Sequence, residues 1–242
     1  MSGMQEDGRP TIGLLAGMGV RSTPPFLDLI IKECQRQYGA KEEMDYPHMI
    51  VFSWPTPFYF DRPNDPDELR ESIAEGLAWL QDTGVDFMAM PCNSAHAFFE
   101  ELAEGVDVPL LSMIDATAGD VPDGVSRVAL LATRTTRDAG FYQRSLGARE
   151  IDLVVEESIQ LRVDSILEEI RRVSDLSAPR SRWEKLLEDL ASDGVEAGLI
   201  ACTDLNVVMG GQAPLPLVDG THSLARLVVQ TWLEMGNRAG VA

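Results

Sequence analysis

Lysine is nearly missing from this chain of 242 residues: Lys32, Lys41 and Lys185 are the only three. The formal net charge is −19. A surface so acidic repels nucleic acid and anionic membranes, so neither is expected as a partner. The same balance is as compatible with a salt-rich host as with an ordinary acidic surface. Histidine and cysteine are equally scarce, at three each. His48, His96 and His222 are scattered, and only His96 lies near a cysteine. Cys34, Cys92 and Cys202 show no C-x-x-C spacing, which speaks against a disulfide framework and against a structural zinc site. No apolar run reaches the roughly 18 residues of a membrane span. The opening "MSGMQEDGRP" has neither the basic nor the apolar region of a signal peptide, so the expected compartment is the cytoplasm. No P-loop is visible, and "AGMGV" (16–20) is too short for a dinucleotide fingerprint, so no cofactor is expected.

What the chain does contain is alternation. Apolar runs that read as buried strands occupy 11–17, 48–54, 85–91, 108–114, 127–133, 151–155, 197–202 and 215–219. Helical spacing covers 24–38, 65–84, 136–146, 161–173 and 180–193. Strands alternating with helices imply an α/β fold with parallel sheet, and continuous apolar strands imply sheets covered on both faces. A repeat runs through this pattern. "VDFMAMPCNS" (85–94) and "VEAGLIACTD" (195–204) each set valine, an acid and an apolar strand before cysteine, with seven positions from valine to cysteine. "VPLLSMIDAT" (108–117) and "LPLVDGTHSL" (215–224) form a second matching pair. "TIGLLAGMG" (11–19) and "RVALLATRT" (127–135) open the two halves alike. The expected organisation is two similar α/β domains with mainly parallel sheets, related by a pseudo-twofold. The first spans 1–116, completed by 221–242, and the second spans 117–220.

Each half then carries one cysteine at the carboxyl end of a strand, where open parallel sheets bind ligands. If the halves face each other, Cys92 and Cys202 meet in one cleft. A thiolate on one side of a carbon can remove its proton while a thiol on the other side delivers one, and the stereocentre inverts. Thiols suit this because their ordinary pKa, about 8.5, falls near helix N-termini or cations. "CNS" and "CTD" place small polar residues where helix caps are expected. His96, one helical turn after Cys92, tunes that thiol, forms a Cys–His nucleophile pair with it, or serves structure. Cys34, mid-helix in "IIKECQRQ", is expected to pack. The glycines of "AGMGV" read as a tight turn that lets backbone approach a small ligand.

"MPCNSAH" and "ACTD", placed after strands in two halves, resemble the aspartate/glutamate racemase family, most closely its aspartate racemase branch. "IGLLAGMGVRST", and "RVALLATRTT" with a following "FY", resemble the openings of that branch's two halves. The likeness runs from about residue 11 to 230. It implies a cofactor-independent amino-acid racemase, dimeric, with its site in an interdomain cleft and Cys92 and Cys202 as acid–base residues. It also implies that Asn93, Ser94 and Thr203 hold the substrate carboxylate and that Met18 and Thr133 line the cleft. Arg62 and Arg162 match positions whose basic residues reach the substrate's acidic groups. Several features depart from the branch: Ala16 stands for a glycine, Val20 and Arg21 differ from its common forms, Ser94 stands for a threonine, Asp204 for a glutamate, and "SWPTPFYF" (53–60) is unusually aromatic and proline-rich. If that stretch lines the cleft, a broader or more apolar substrate than aspartate becomes plausible. Two other readings stay open: a maleate isomerase-like or hydantoin racemase-like enzyme of the same superfamily, and a non-catalytic protein that binds a small metabolite.

Overall fold

The computed structural model describes residues 8–59, 64–210 and 212–239. By internal contacts the chain divides into two compact units, one of residues 1–113 with 224–242 and one of residues 114–223.

In the first unit the elements run Thr11–Ala16 (β1), Thr23–Tyr38 (α1), His48–Ser53 (β2), Pro66–Gln81 (α2), Phe87–Ala89 (β3), Phe99–Glu104 (α3) and Leu110–Leu111 (β4). The four strands form a parallel sheet in the order β2-β1-β3-β4. Every residue of β1 is buried, as its unbroken apolar run requires, whereas edge strand β2 is half exposed. Helix α1 starts on Pro24 and Pro25, whose missing N–H groups cost nothing in a first turn. It ends at Gly39, which takes the left-handed φ of 75°. Phe26, Ile30 and Cys34, four residues apart, form its buried stripe. Helix α2 begins where Asp65 accepts hydrogen bonds from the N–H groups of Asp67 and Glu68, with Pro66 as first helical residue. It lays Leu69, Ile73, Leu77 and Leu80 on the core.

Met113–Gly119 (α4) leads into the second unit, followed by Arg127–Ala132 (β5), Arg134–Asp138 (α5), Phe141–Gly147 (α6), Asp152–Val154 (β6), Glu157–Arg172 (α7), Ser177–Ser192 (α8), Ala197–Ala201 (β7) and Leu217–Asp219 (β8). These strands are again all parallel, in the order β6-β5-β7-β8. Gly220–Ala239 (α9) then returns to the first unit. Its Leu224, Ala225, Val228, Val229 and Trp232 join the core around Ile12, Phe26 and Phe87. The Trp232 indole N–H donates to the Pro10 carbonyl, 2.9 Å away.

The helical stretch read at 136–146 is two helices, because Gly140 adopts a left-handed φ of 72° and breaks it. The strand read at 108–114 keeps two paired residues, and α4 starts within its span at Met113. Helices α7 and α8 start earlier than their periodicity indicated, and Pro179 sits in the first turn of α8, where proline is tolerated. Among the described residues no helix is long and apolar enough to cross a membrane.

Both sheets follow one topology: the first strand in sequence is flanked by the second and the third, and the fourth lies outside the third. The chain reverses direction across the sheet between first and third strands. Beyond the carboxyl ends of that strand pair is where such sheets leave a crevice for ligands. Cys92 follows the third strand of one sheet, and Cys202 follows the third strand of the other.

Candidate active site

In the first unit the crevice is framed by the turn after β1 and the turn after β3. Gly17 and Gly19 have φ of 93° and 60°. A side chain at Gly17 would place Cβ 2.6 Å from the Trp54 backbone nitrogen, so only glycine lets the chain pass there. Met18 and Cys92 are both partly buried against one cluster, which includes Met90 and Ala95, and Trp54 and Phe58 of the aromatic stretch pack on the same cluster. Trp54 is fixed by its indole N–H, which donates to the Ser72 carbonyl at 2.8 Å.

Cys92 enters a 3-10 turn, Ser94–Phe98, and its backbone N–H donates to the Met90 carbonyl at 2.8 Å. Burial pushes the thiol pKa up, and the backbone N–H groups of Ala95 and Ser94, which face the sulfur, draw it down. Asn93 is buried at the head of this turn. His96 is buried and stacked on Phe99, with ring centroids 5.3 Å apart. The Met113 N–H donates to its Nε2 at 2.9 Å, so that nitrogen carries the lone pair. The ring proton is therefore on Nδ1, which donates to the Cys92 carbonyl at 2.8 Å. Both ring nitrogens hold backbone groups, so His96 fixes the Cys92 turn and is not a base for the thiol.

The second unit repeats this construction. Cys202 follows β7 directly and heads a 3-10 turn, Thr203–Val207. The backbone N–H groups that face its sulfur are those of Asp204 and Leu205, two and three residues on, as Ser94 and Ala95 are from Cys92. Burial again dominates, and with the negative charge of Asp204 it pushes the Cys202 thiol up to about 12, against the two N–H groups and the Arg171 guanidinium. Arg171 Nη2 lies 3.2 Å from Asp204 Oδ2. Beside this turn the Asn206 side-chain amide donates to Asp219 Oδ2 at 3.2 Å, and the Thr221 N–H donates to Asp219 Oδ1 at 2.9 Å. Burial raises the Asp219 carboxyl above the usual carboxylate range, opposing the hydrogen bond from Thr221.

Thr133 follows β5, the strand paired with β7. Its hydroxyl caps α5, accepting from the Thr136 N–H. The turn is braced from α7: the buried Gln160 side chain donates to the Ala132 carbonyl at 3.0 Å and to Asp164 at 2.7 Å. Asp164 in turn accepts from Arg134 Nε at 2.6 Å. Arg134 and Arg137 share Glu157 at 2.7 and 2.8 Å and draw its carboxyl down to about 2.

The expected site residues thus fall into distinct settings. Cys92, Asn93, Ser94 and Met18 frame the crevice of the first sheet, and Cys202, Thr203 and Thr133 that of the second. Arg162 is elsewhere. Its Nη1 lies 3.1 Å from Asp189 Oδ2, and with Arg127, Asp193 and Val195 it lines a small hollow. Arg127 opens β5, and Asp193 and Val195 precede β7, so the structure does not bring Arg162 to Cys202. Arg62 lies outside the described residues. Cys34 is fully buried in the core, as its mid-helix position indicated. Among the described residues no group of three or more His, Cys, Asp or Glu could hold a metal ion.

Sequence reading passed over Arg171, Gln160 and Asp219. An acid closing the apolar strand "LPLVD" was a usable signal for Asp219. Arg171, in "EEIRRVS" on an amphipathic helix, looks like any solvated arginine. Gln160 is a polar residue on the buried face of α7, a position its own spacing reveals.

The Asp/Glu/hydantoin racemase family profile matches residues 15–228. The broad specificity amino-acid racemase RacX of Bacillus subtilis is 38% identical over 223 residues, covering 92% of this chain and 98% of RacX. Among solved structures, an aspartate racemase from Picrophilus torridus superposes with a TM-score of 0.76 at 26% identity, covering 92% of this chain and 94% of that one. An aspartate racemase homologue from Pyrococcus horikoshii superposes with a TM-score of 0.78 at 24% identity, covering 92% and 99% of the two chains.

Proposed function

The chain belongs to the Asp/Glu/hydantoin racemase family, and on that premise we propose that it is an amino-acid racemase of broad substrate range using Cys92 and Cys202 as its acid–base pair. One observation carries this reading. The two thiols stand after equivalent strands of two sheets with the same topology, each followed by a 3-10 turn, and the N–H groups two and three residues beyond each cysteine face its sulfur. A racemase must run equally well in both directions, and near-equivalent groups on the two faces of Cα meet that need. Burial disfavours the thiolate form at each sulfur. The aimed N–H groups are the feature that stabilises a thiolate when one forms during turnover. One thiolate removes the Cα proton, the other thiol supplies a proton to the opposite face, and the two sulfurs exchange protonation states.

Two observations support breadth over strict aspartate specificity. The arginines described at the carboxyl end of the second sheet already have acid partners: Arg134 with Glu157 and Asp164, Arg137 with Glu157 and Asp138, Arg171 with Asp204. They offer no surplus positive charge to demand a second carboxylate. On the first sheet, Trp54 and Phe58 pack on the cluster that carries Met18 and Cys92, an apolar setting suited to uncharged side chains. RacX, by its name, has broad specificity. Asn93, Ser94 and Thr203 are the proposed holders of the substrate's α-carboxylate.

The test is racemisation of a panel of L- and D-amino acids, aspartate and glutamate included. Several uncharged substrates should turn over, and Cys92→Ala and Cys202→Ala should each lower kcat/KM by about 10²- to 10⁴-fold, the usual range for one proton-transfer group. Turnover restricted to aspartate would overturn the breadth. The proposed homodimer would sediment at twice the 26.6 kDa chain mass.

A further inference from the structure

Two residues beyond Cys202, the Asp204 carboxylate introduces a negative charge for which the Cys92 turn has no counterpart: the residue at the same offset there is Ser94. Its neighbour across the gap is Arg171, in the last turn of α7, with Nη2 3.2 Å from Asp204 Oδ2. The Asp204 backbone N–H faces the Cys202 sulfur, so this residue acts on the thiol in two opposed ways. Its N–H favours the thiolate, and its side-chain charge disfavours it. The guanidinium offsets the second effect.

Resting on the reading of Cys202 as an acid–base residue, we infer that Arg171 is a positioning residue: by holding the Asp204 carboxylate it sets the charge beside Cys202 and so how readily that thiol exchanges its proton. Among the described residues of this unit, the other titratable or charged groups beside this turn include Asp219 at the end of β8, held by Asn206; His222 next to it; and Arg180 of α8, whose Nη2 approaches the Val207 carbonyl at 3.5 Å. Of the charges around it, those that bear on Cys202 are Asp204 and Arg171. The pair is half-exposed, so salt weakens it but does not erase it. Arginine suits the post because it stays charged at every working pH.

The test reads the thiols directly, without substrate. Alkylation by iodoacetamide is followed at each cysteine by peptide mass spectrometry from pH 7 to 11, in wild type, Arg171→Gln, Arg171→Lys and Asp204→Asn. Arg171→Gln should slow alkylation of Cys202 by roughly five- to tenfold at each pH, a shift approaching one pK unit, and leave Cys92 unchanged. Asp204→Asn should speed it, and Arg171→Lys should stay near wild type. Opposite signs from the two variants separate a charge effect from altered access. An unchanged Cys202 rate in Arg171→Gln, or equal slowing of both cysteines, overturns the inference. If Arg171→Gln does not fold, unchanged or slower Cys202 alkylation in Asp204→Asn overturns it. The acid–base reading fails separately: Cys202→Ala that racemises at the wild-type rate removes it, whatever the alkylation shows.

Discussion

Cys202 couples the candidate site to folding through its proton. Its thiol is pushed up to about 12 in the folded protein, chiefly by burial, whereas a cysteine in an unfolded chain ionises near 8.5. Above about pH 8.5 the unfolded chain has released a proton that the folded protein still holds, so stability falls as pH rises toward 12. One such thiol contributes a slope of up to about 1.4 kcal/mol per pH unit in that window. Urea unfolding at pH 8, 9 and 10 should show the decline, and Cys202→Ala should shed about one proton's share of it; an unchanged slope would contradict the burial argument. His96 makes a different demand. It is 4% exposed, and its ring satisfies the Cys92 carbonyl and the Met113 N–H at once. His96→Ala strands both groups and should cost about 2–4 kcal/mol, measured by denaturant unfolding. "CNSAH" shows the four-residue spacing that brings His96 over Cys92 but not what the ring touches. Met113, which decides the tautomer, is seventeen residues away.

Among the elements, the packing of α2 against the end of β2 sets the first crevice. Gly76 lies mid-helix, where alanine would ordinarily gain about 1 kcal/mol. Here a Cβ would stand 2.8 Å from Trp54 Cδ1 and 2.9 Å from Leu15 Cδ1. Overpacking of this kind costs about 1–3 kcal/mol, so the clash wins, and Gly76→Ala should lower the thermal midpoint instead of raising it. The eight strands described were legible because each falls in an apolar run, longest and most fully buried in β1, β5 and β7. Their lengths were less so: apolar residues at 108–114 serve a two-residue strand and a helix start, and hydrophobicity does not tell these apart. Arg162 and Arg171 show the same limit. Both are polar positions of one helix, and the choice of which meets the cysteine turn depends on how α7 crosses its sheet, with Arg162 against Asp189 of α8 and Arg171 against Asp204.

For the whole molecule, charge is the dominant long-range quantity. With −19 on a single chain, mutual repulsion opposes compaction, and the exposed ion pairs on the helices offset little of it. Raising ionic strength from about 0.01 to 0.15 M shortens the screening length from roughly 30 to 8 Å, so the thermal midpoint should rise with KCl over that range. A midpoint that falls would mean that ion pairs, not repulsion, control stability. The repeat visible around Cys92 and Cys202 has its counterpart in two sheets of identical strand order, and that duplication underlies the functional proposal. The most direct test of a two-thiol inversion is racemisation of one enantiomer in deuterium oxide, sampled early by NMR and chiral chromatography. The account predicts that the newly formed enantiomer carries deuterium at Cα while the recovered starting enantiomer remains protiated, and that loss of either Cys92 or Cys202 slows inversion by about 10²-fold or more. Deuterium appearing equally in both enantiomers from the first turnovers, or inversion at the wild-type rate without one of the thiols, would contradict it.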